Sequence, residues 1–209
     1  MKKTIFFALL TIGFSSLIFS QTVEKGIKGG LNLASLSVDD NNDKNLKAGL
    51  HLGFFAKFPI TSALAIQPEL LYSAKGIKIN YDDSNFADGQ SNFGLNYIDI
   101  PVKLVFNLSE DFSFHLGPYF SYLLNAKVKT DAQVLDFWEI DSEDELDRDR
   151  FNAFDYGLIG GLEFDLKPVF FGFSYNLGLN QIAKDDDLAY DILGDAKNRV
   201  IQVFVGIKF

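Results

Sequence analysis

From residue 25 to the C-terminus, apolar residues occupy every second position in one stretch after another. Period-two alternation marks β-strands with two unlike faces, and eight such stretches can be read. The first spans about 25–35, with Ile27, Leu31 and Leu33 opposed to Lys28, Asn32 and Ala34. The second, about 46–58, sets Leu46, Ala48, Leu50, Leu52, Phe54, Ala56 and Phe58 against Lys47, Gly49, His51, Gly53 and Lys57. The third, about 63–76, sets Leu64, Ile66, Pro68, Leu70 and Tyr72 against Gln67, Glu69, Ser73 and Lys75. The fourth, about 94–107, sets Ile98, Ile100, Val102, Leu104 and Phe106 against Tyr97, Asp99, Pro101 and Lys103. The remaining four cover about 112–127, 153–165, 169–181 and 198–209. Their polar faces carry His115 and Ser121, Asp155 and Glu163, Ser174 and Asn176, and Gln202 and Lys208, in that order.

These stretches reach or exceed the roughly 9–11 residues with which a tilted strand crosses a bilayer. Ordinary globular strands are shorter, about 5–6 residues. The connections also alternate. Short ones fall at 59–62, 107–111 and 166–168; long ones fall at 36–45, 77–93, 128–152 and 182–197. Short turns on one side and long loops on the other are the pattern of an outer-membrane barrel, with both chain ends on the short-turn, periplasmic side. The expected fold is therefore all-β, an eight-stranded antiparallel up-and-down transmembrane β-barrel. The soluble alternative, a lipocalin-like barrel or sandwich, would turn the large apolar face inward. It would then have to fit Phe and Tyr rings into an interior with little room.

Residues 1–20, MKKTIFFALLTIGFSSLIFS, start with Lys2 and Lys3, continue as an apolar run and end in small residues. This is the pattern of a cleaved secretory signal, with cleavage expected after Ser20 and the barrel domain over 21–209. Composition narrows the functions. The 22 Phe, 8 Tyr and 17 Gly suit a β-rich chain with close backbone approaches. With 0 Cys, disulfides, thiolate metal sites and lipid attachment at a cysteine are excluded. The net charge of −9, without a basic stripe, speaks against nucleic acid.

The last strand, with Ile201, Val203, Val205, Ile207 and terminal Phe209, resembles the C-terminal signal by which the barrel-assembly machinery recognises outer-membrane proteins. The chain as a whole resembles the small outer-membrane β-barrel family, called porin-family or PorT-like, of Gram-negative bacteria. The likeness lies in GIKGGLNLASL (26–36), AIQPELLYSAKG (65–76), YIDIPVKLVF (97–106), LGPYFSYLL (116–124), FDYGLIGGLEF (154–164) and FSYNLGLNQI (173–182). The resemblance implies insertion into the outer membrane, among its lipid and lipopolysaccharide. It implies no particular substrate. PorT-type members are associated with a secretion system, so a secretion-system partner follows only if the chain belongs to that branch.

The polar face collects Lys28, His51, Lys57, Glu69, Lys75, Asp99, Lys103, His115, Asp155, Glu163 and Lys208. Buried charges must pair, so Glu69, Lys75, Asp99, Lys103 and Asp155 are expected to form a structural ion-pair network that fills the lumen. An ion or proton path is the functional rival. His51 and His115 lie on distant strands, and neither a Gly-x-Ser-x-Gly elbow nor a His-Glu-x-x-His pair occurs. No catalytic residue, cofactor or metal ligand is assigned. The long connections are acidic: Asp39, Asp40 and Asp43; Asp136, Glu139, Asp141, Glu143, Asp144, Glu145, Asp147 and Asp149; Asp185, Asp186, Asp187, Asp191 and Asp195. Carboxylate clusters suit Ca²⁺, but the stretch from Asp39 has Lys44 and Leu50 where a calcium loop needs Gly and Glu. Trp138, within VLDFWEI (134–140), is expected in an exposed loop. Three readings result: a structural or interaction barrel that presents acidic loops, a narrow channel or secretion-associated component, and a membrane-barrel enzyme.

Overall fold

The computed structural model describes residues 22–37, 44–83, 87–134, 138–146, 151–184 and 195–209. Ten strands follow one another: β1 (Glu24–Ser37), β2 (Lys44–Asn45), β3 (Lys47–Pro59), β4 (Leu64–Asp83), β5 (Ala87–Asn107), β6 (Phe112–Val134), β7 (Trp138–Leu146), β8 (Phe154–Asp165), β9 (Val169–Gln181) and β10 (Lys197–Lys208). Short β2 adds to β4, and β7 adds to the upper part of β6. The other eight form a ring in which each pairs antiparallel with its sequence neighbour, and β1 closes on β10. Closure leaves no open edge in the ring, which hydrocarbon demands because it cannot satisfy a free N–H or C=O.

Residues facing out are large and apolar. Leu50, Leu52, Phe54, Leu70, Ile100, Phe120, Phe171, Phe173, Val203 and Val205 are all exposed. Soluble monomers rarely show contiguous apolar patches beyond a few hundred Å²; here the patch encircles the molecule, so its solvent is lipid. Among the described residues no helix is long and apolar enough to cross a membrane. The 13 residues of β3 suffice: at about 3.3 Å per residue and a tilt of about 40°, they rise roughly 33 Å, against a hydrocarbon core of about 30 Å.

Two connections expected as long loops are largely strand. β4 and β5 continue their ladder to Asp83↔Ala87, and β6 and β7 form a hairpin from Ala126↔Leu146 to Val134↔Trp138. Trp138 therefore begins a strand rather than lying in a loop. On β4 and β6 the reason is sequence-local: Ile77, Ile79 and Tyr81, and Val128 and Val134, keep β-favouring residues beyond the membrane span, and β5 and β7 follow by pairing with them. Where β4 leaves the barrel, Gly76 has φ +135°, and a side chain there would meet the carbonyl of Phe93, so only glycine fits. The segment 1–20 and Asp39, Asp40, Asp43, Asp136, Asp147, Asp149 and Asp185–Asp191 lie outside the described residues.

Candidate functional site in the lumen

Every second side chain of the ring points inward; most of those positions are polar, small or aromatic, and Leu71, Leu95, Val105, Leu123, Ile159 and Val200 are the buried aliphatic ones. The inward side chains stack in tiers. Nearest the loop end, Leu95, Tyr97, Leu123, Ala126, Phe151, Ile182, Ala183 and Ala196 form a buried apolar cluster. Phe151 bridges Ala183, and the Asn152 amide donates to the carbonyls of Gln181 (3.0 Å) and Ala183 (3.1 Å), which ties the two strand ends together.

Below this cap lies the first polar tier. Lys75 Nζ meets Asp99 Oδ1 at 2.9 Å and donates to Ser121 Oγ at 3.2 Å. The same ammonium sits 4.7 Å and 5.1 Å from the ring centres of Tyr97 and Tyr119. Asp155 makes no ion pair among the described residues. Its Oδ2 accepts instead from Asn198 Nδ2 (2.8 Å) and the Tyr119 hydroxyl (3.3 Å). Asn32 joins three strands: its amide donates to Ser73 Oγ (3.0 Å) and its Oδ1 accepts from Gln202 (3.1 Å) and faces His51 Nδ1 (2.8 Å).

The second polar tier is centred on Glu69. Lys28 Nζ lies 3.0 Å from Oε2 and Lys103 Nζ 2.8 Å from Oε1, with the Gln67 amide donating to Oε1 at 2.8 Å. All four residues are buried. His115 bonds to Ser174 Oγ at 2.9 Å. The two histidines thus have separate partners and form no shared catalytic pair. Next comes an aromatic tier. Phe55 meets Phe170 edge-on at 5.1 Å, and Phe170 meets Phe204 at 6.2 Å. The Lys28 ammonium stands 4.0 Å over the Phe204 ring. At the turn end, Lys208 bridges Glu24 (3.1 Å) and Asp165.

Of the five residues singled out from sequence, four fall into two ion-paired groups and Asp155 stands apart. Glu69 pairs with Lys103 and with Lys28, while Asp99 pairs with Lys75. Asp155 is held by neutral donors. The aromatic tier was not anticipated. Its signal was present in the Phe54–Phe55 and Phe170–Phe171 doublets, since strict alternation must turn one ring of each doublet inward. Room for those rings comes from glycine: Gly26 pairs with Phe55 and Gly206 with Phe170. Val203, Val205, Ile207 and Phe209 lie on the outer wall, and the Phe209 amide donates to Lys25 O at 2.9 Å. Among the described residues no three His, Asp or Glu side chains gather as metal ligands.

No curated protein sequence matches the chain. Among solved structures, it is similar to Ail of Yersinia pestis in complex with the heparin analogue sucrose octasulfate, with 15% identity over 90% of this chain and 100% of that one, at a TM-score of 0.46. It is similar to Neisserial surface protein A, with 15% identity, 90% and 100% coverage, and a TM-score of 0.49. It is also similar to OprG of Pseudomonas aeruginosa, with 14% identity, 90% and 97% coverage, and a TM-score of 0.33. The profile of the outer membrane protein beta-barrel domain matches residues 19–184. By that match and by its closed eight-stranded ring, this chain belongs to the outer membrane protein beta-barrel domain family.

Proposed function

We propose that this outer-membrane barrel is a filled, non-catalytic anchor. Its lumen braces the wall, and its acidic outer connections meet the surroundings of the cell. In this reading the signal segment 1–20 is removed, both chain ends lie in the periplasm, and the C-terminal strand is read by the assembly machinery. One observation carries the filled-lumen reading: Glu69 is clamped between Lys28 and Lys103 on the inside of the ring, with all three side chains buried. The apolar cap around Leu95, Leu123 and Phe151 adds a second closure toward the loop end. An eight-stranded interior is just wide enough for its own side chains, which argues against the narrow-channel reading.

The test is conductance. Protein refolded into planar bilayers is expected to give no discrete current steps under applied voltage. Reproducible steps, altered in ion selectivity by Glu69→Gln, would replace the anchor reading with a channel.

A further inference from the structure

The lumen ends, on the turn side, in an open cavity of about 420 Å³. Its lining runs round the barrel end through Glu24, Lys57, Asn107, Glu110, Ser113 and Asp165. Phe55, one inward position deeper than Lys57, belongs to the aromatic tier, so the cavity is a vestibule with an aromatic back wall.

The charges of this wall are unevenly spent. Glu24 and Asp165 both hold Lys208. Lys57 is buried with the buried carboxylate of Glu163 as its nearest-acting negative charge, but it makes no direct ion pair among the described residues. Its ammonium donates to Asn107 Oδ1 at 3.1 Å, and the Asn107 amide is itself anchored on the Ser62 carbonyl at 3.1 Å. An ammonium has three donors, so a buried positive charge keeps donor capacity at the cavity wall. Glu110, exposed on the β5–β6 turn at the lip, makes no ion pair among the described residues either.

A simple anion reaching Lys57 would pass Glu110, Glu24 and Asp165. A simple cation attracted by Glu110 would meet Lys57 and Lys167. A molecule that carries both charges matches the open donor positions of Lys57 and the exposed carboxylate of Glu110. The volume lies at the small end of ligand sites, which run from about 300 to 1,000 Å³. We propose that the vestibule binds a small zwitterion, an amino acid or short peptide, with its carboxylate on Lys57 and its ammonium on Glu110.

The refolded full barrel in detergent is titrated calorimetrically with glycine, triglycine, N-acetyl-triglycine, triglycinamide and acetate. Glycine or triglycine is expected to saturate the site, and whichever binds tighter sets the ligand length. Blocking either end of triglycine, or shortening to acetate, should weaken binding at least about tenfold, the worth of one charge-assisted bond. Lys57→Met should abolish binding, with retained heat-modifiable gel migration showing that it still folds. Glu110→Gln, on an exposed turn, should weaken triglycine to the level of its acetylated form, and it carries the test if Lys57→Met does not fold. Absence of heat from both zwitterions, acetate binding as tightly as they do, or binding untouched by Glu110→Gln would overturn the proposal.

Discussion

Glu69→Gln keeps the shape of the side chain and removes its charge. Two buried ammoniums, 3.0 Å and 2.8 Å from the carboxylate, then face a neutral amide that is itself half donor. Breaking a buried ion pair by removing one partner costs about 3–5 kcal/mol, because the other charge is left uncompensated. Both pairs share one carboxylate, so the losses do not add, and the whole effect is about 3–5 kcal/mol. With an m-value near 2 kcal/mol/M, the urea midpoint of the refolded barrel in micelles should fall by roughly 2 M. The second arm removes all three charges with Lys28→Met, Glu69→Leu and Lys103→Met together. Replacing a buried ionic group by apolar side chains of similar volume is often neutral or stabilising, so the triple variant should return close to the starting midpoint. A Glu69→Gln midpoint unchanged within error would refute the reasoning. So would a triple variant as weak as the single one, since the tier would then act through packing and not charge.

Two further outcomes test the wall itself. A Cβ at Gly206 would meet the Phe170 ring, so Gly206→Ala should cost about 1–3 kcal/mol by overpacking, and Phe170→Leu in the same chain should recover part of it in urea melts. Leu52 is 63% exposed on the outer face, so Leu52→Arg should cost about 2–4 kcal/mol of stability in liposomes if it sits near the bilayer midplane, while Ser62→Arg in the exposed turn should cost nothing measurable.

The ring was legible because each side of the wall has its own solvent. Lipid outside selects Leu50, Leu52 and Phe54, while partners inside select His51 and Gly53, so the alternation survives in the bare sequence. Lumen contacts were less legible because they depend on which strands lie across from one another. Lys28 reaches Glu69 over a sequence separation of 41, and Gln202 reaches Asn32 over 170. Charge type at one position does not reveal that Asp155 will be met by Tyr119 and Asn198 and not by a lysine. The β6–β7 hairpin was hidden for another reason. Its residues Glu139, Asp141, Glu143 and Glu145 have weak strand preference, and only the register places Glu143 opposite Lys129 and Glu145 opposite Lys127.

The seam between β1 and β10, which runs from Gly26↔Lys208 to Ser37↔Lys197, joins the first strand of the ring to its last. Until β10 arrives, Asn32 lacks the Gln202 amide and the Lys28 ammonium lacks the ring of Phe204 beneath it. A chain cut short before Lys197 therefore has two open strand edges and an uncovered interior cation at the same time. Incompleteness is a physical state with its own surface, one that a cell can bind or degrade. Only the pairing of β1 with β10 withdraws that surface, so the seam makes closure of the wall all-or-none and not gradual.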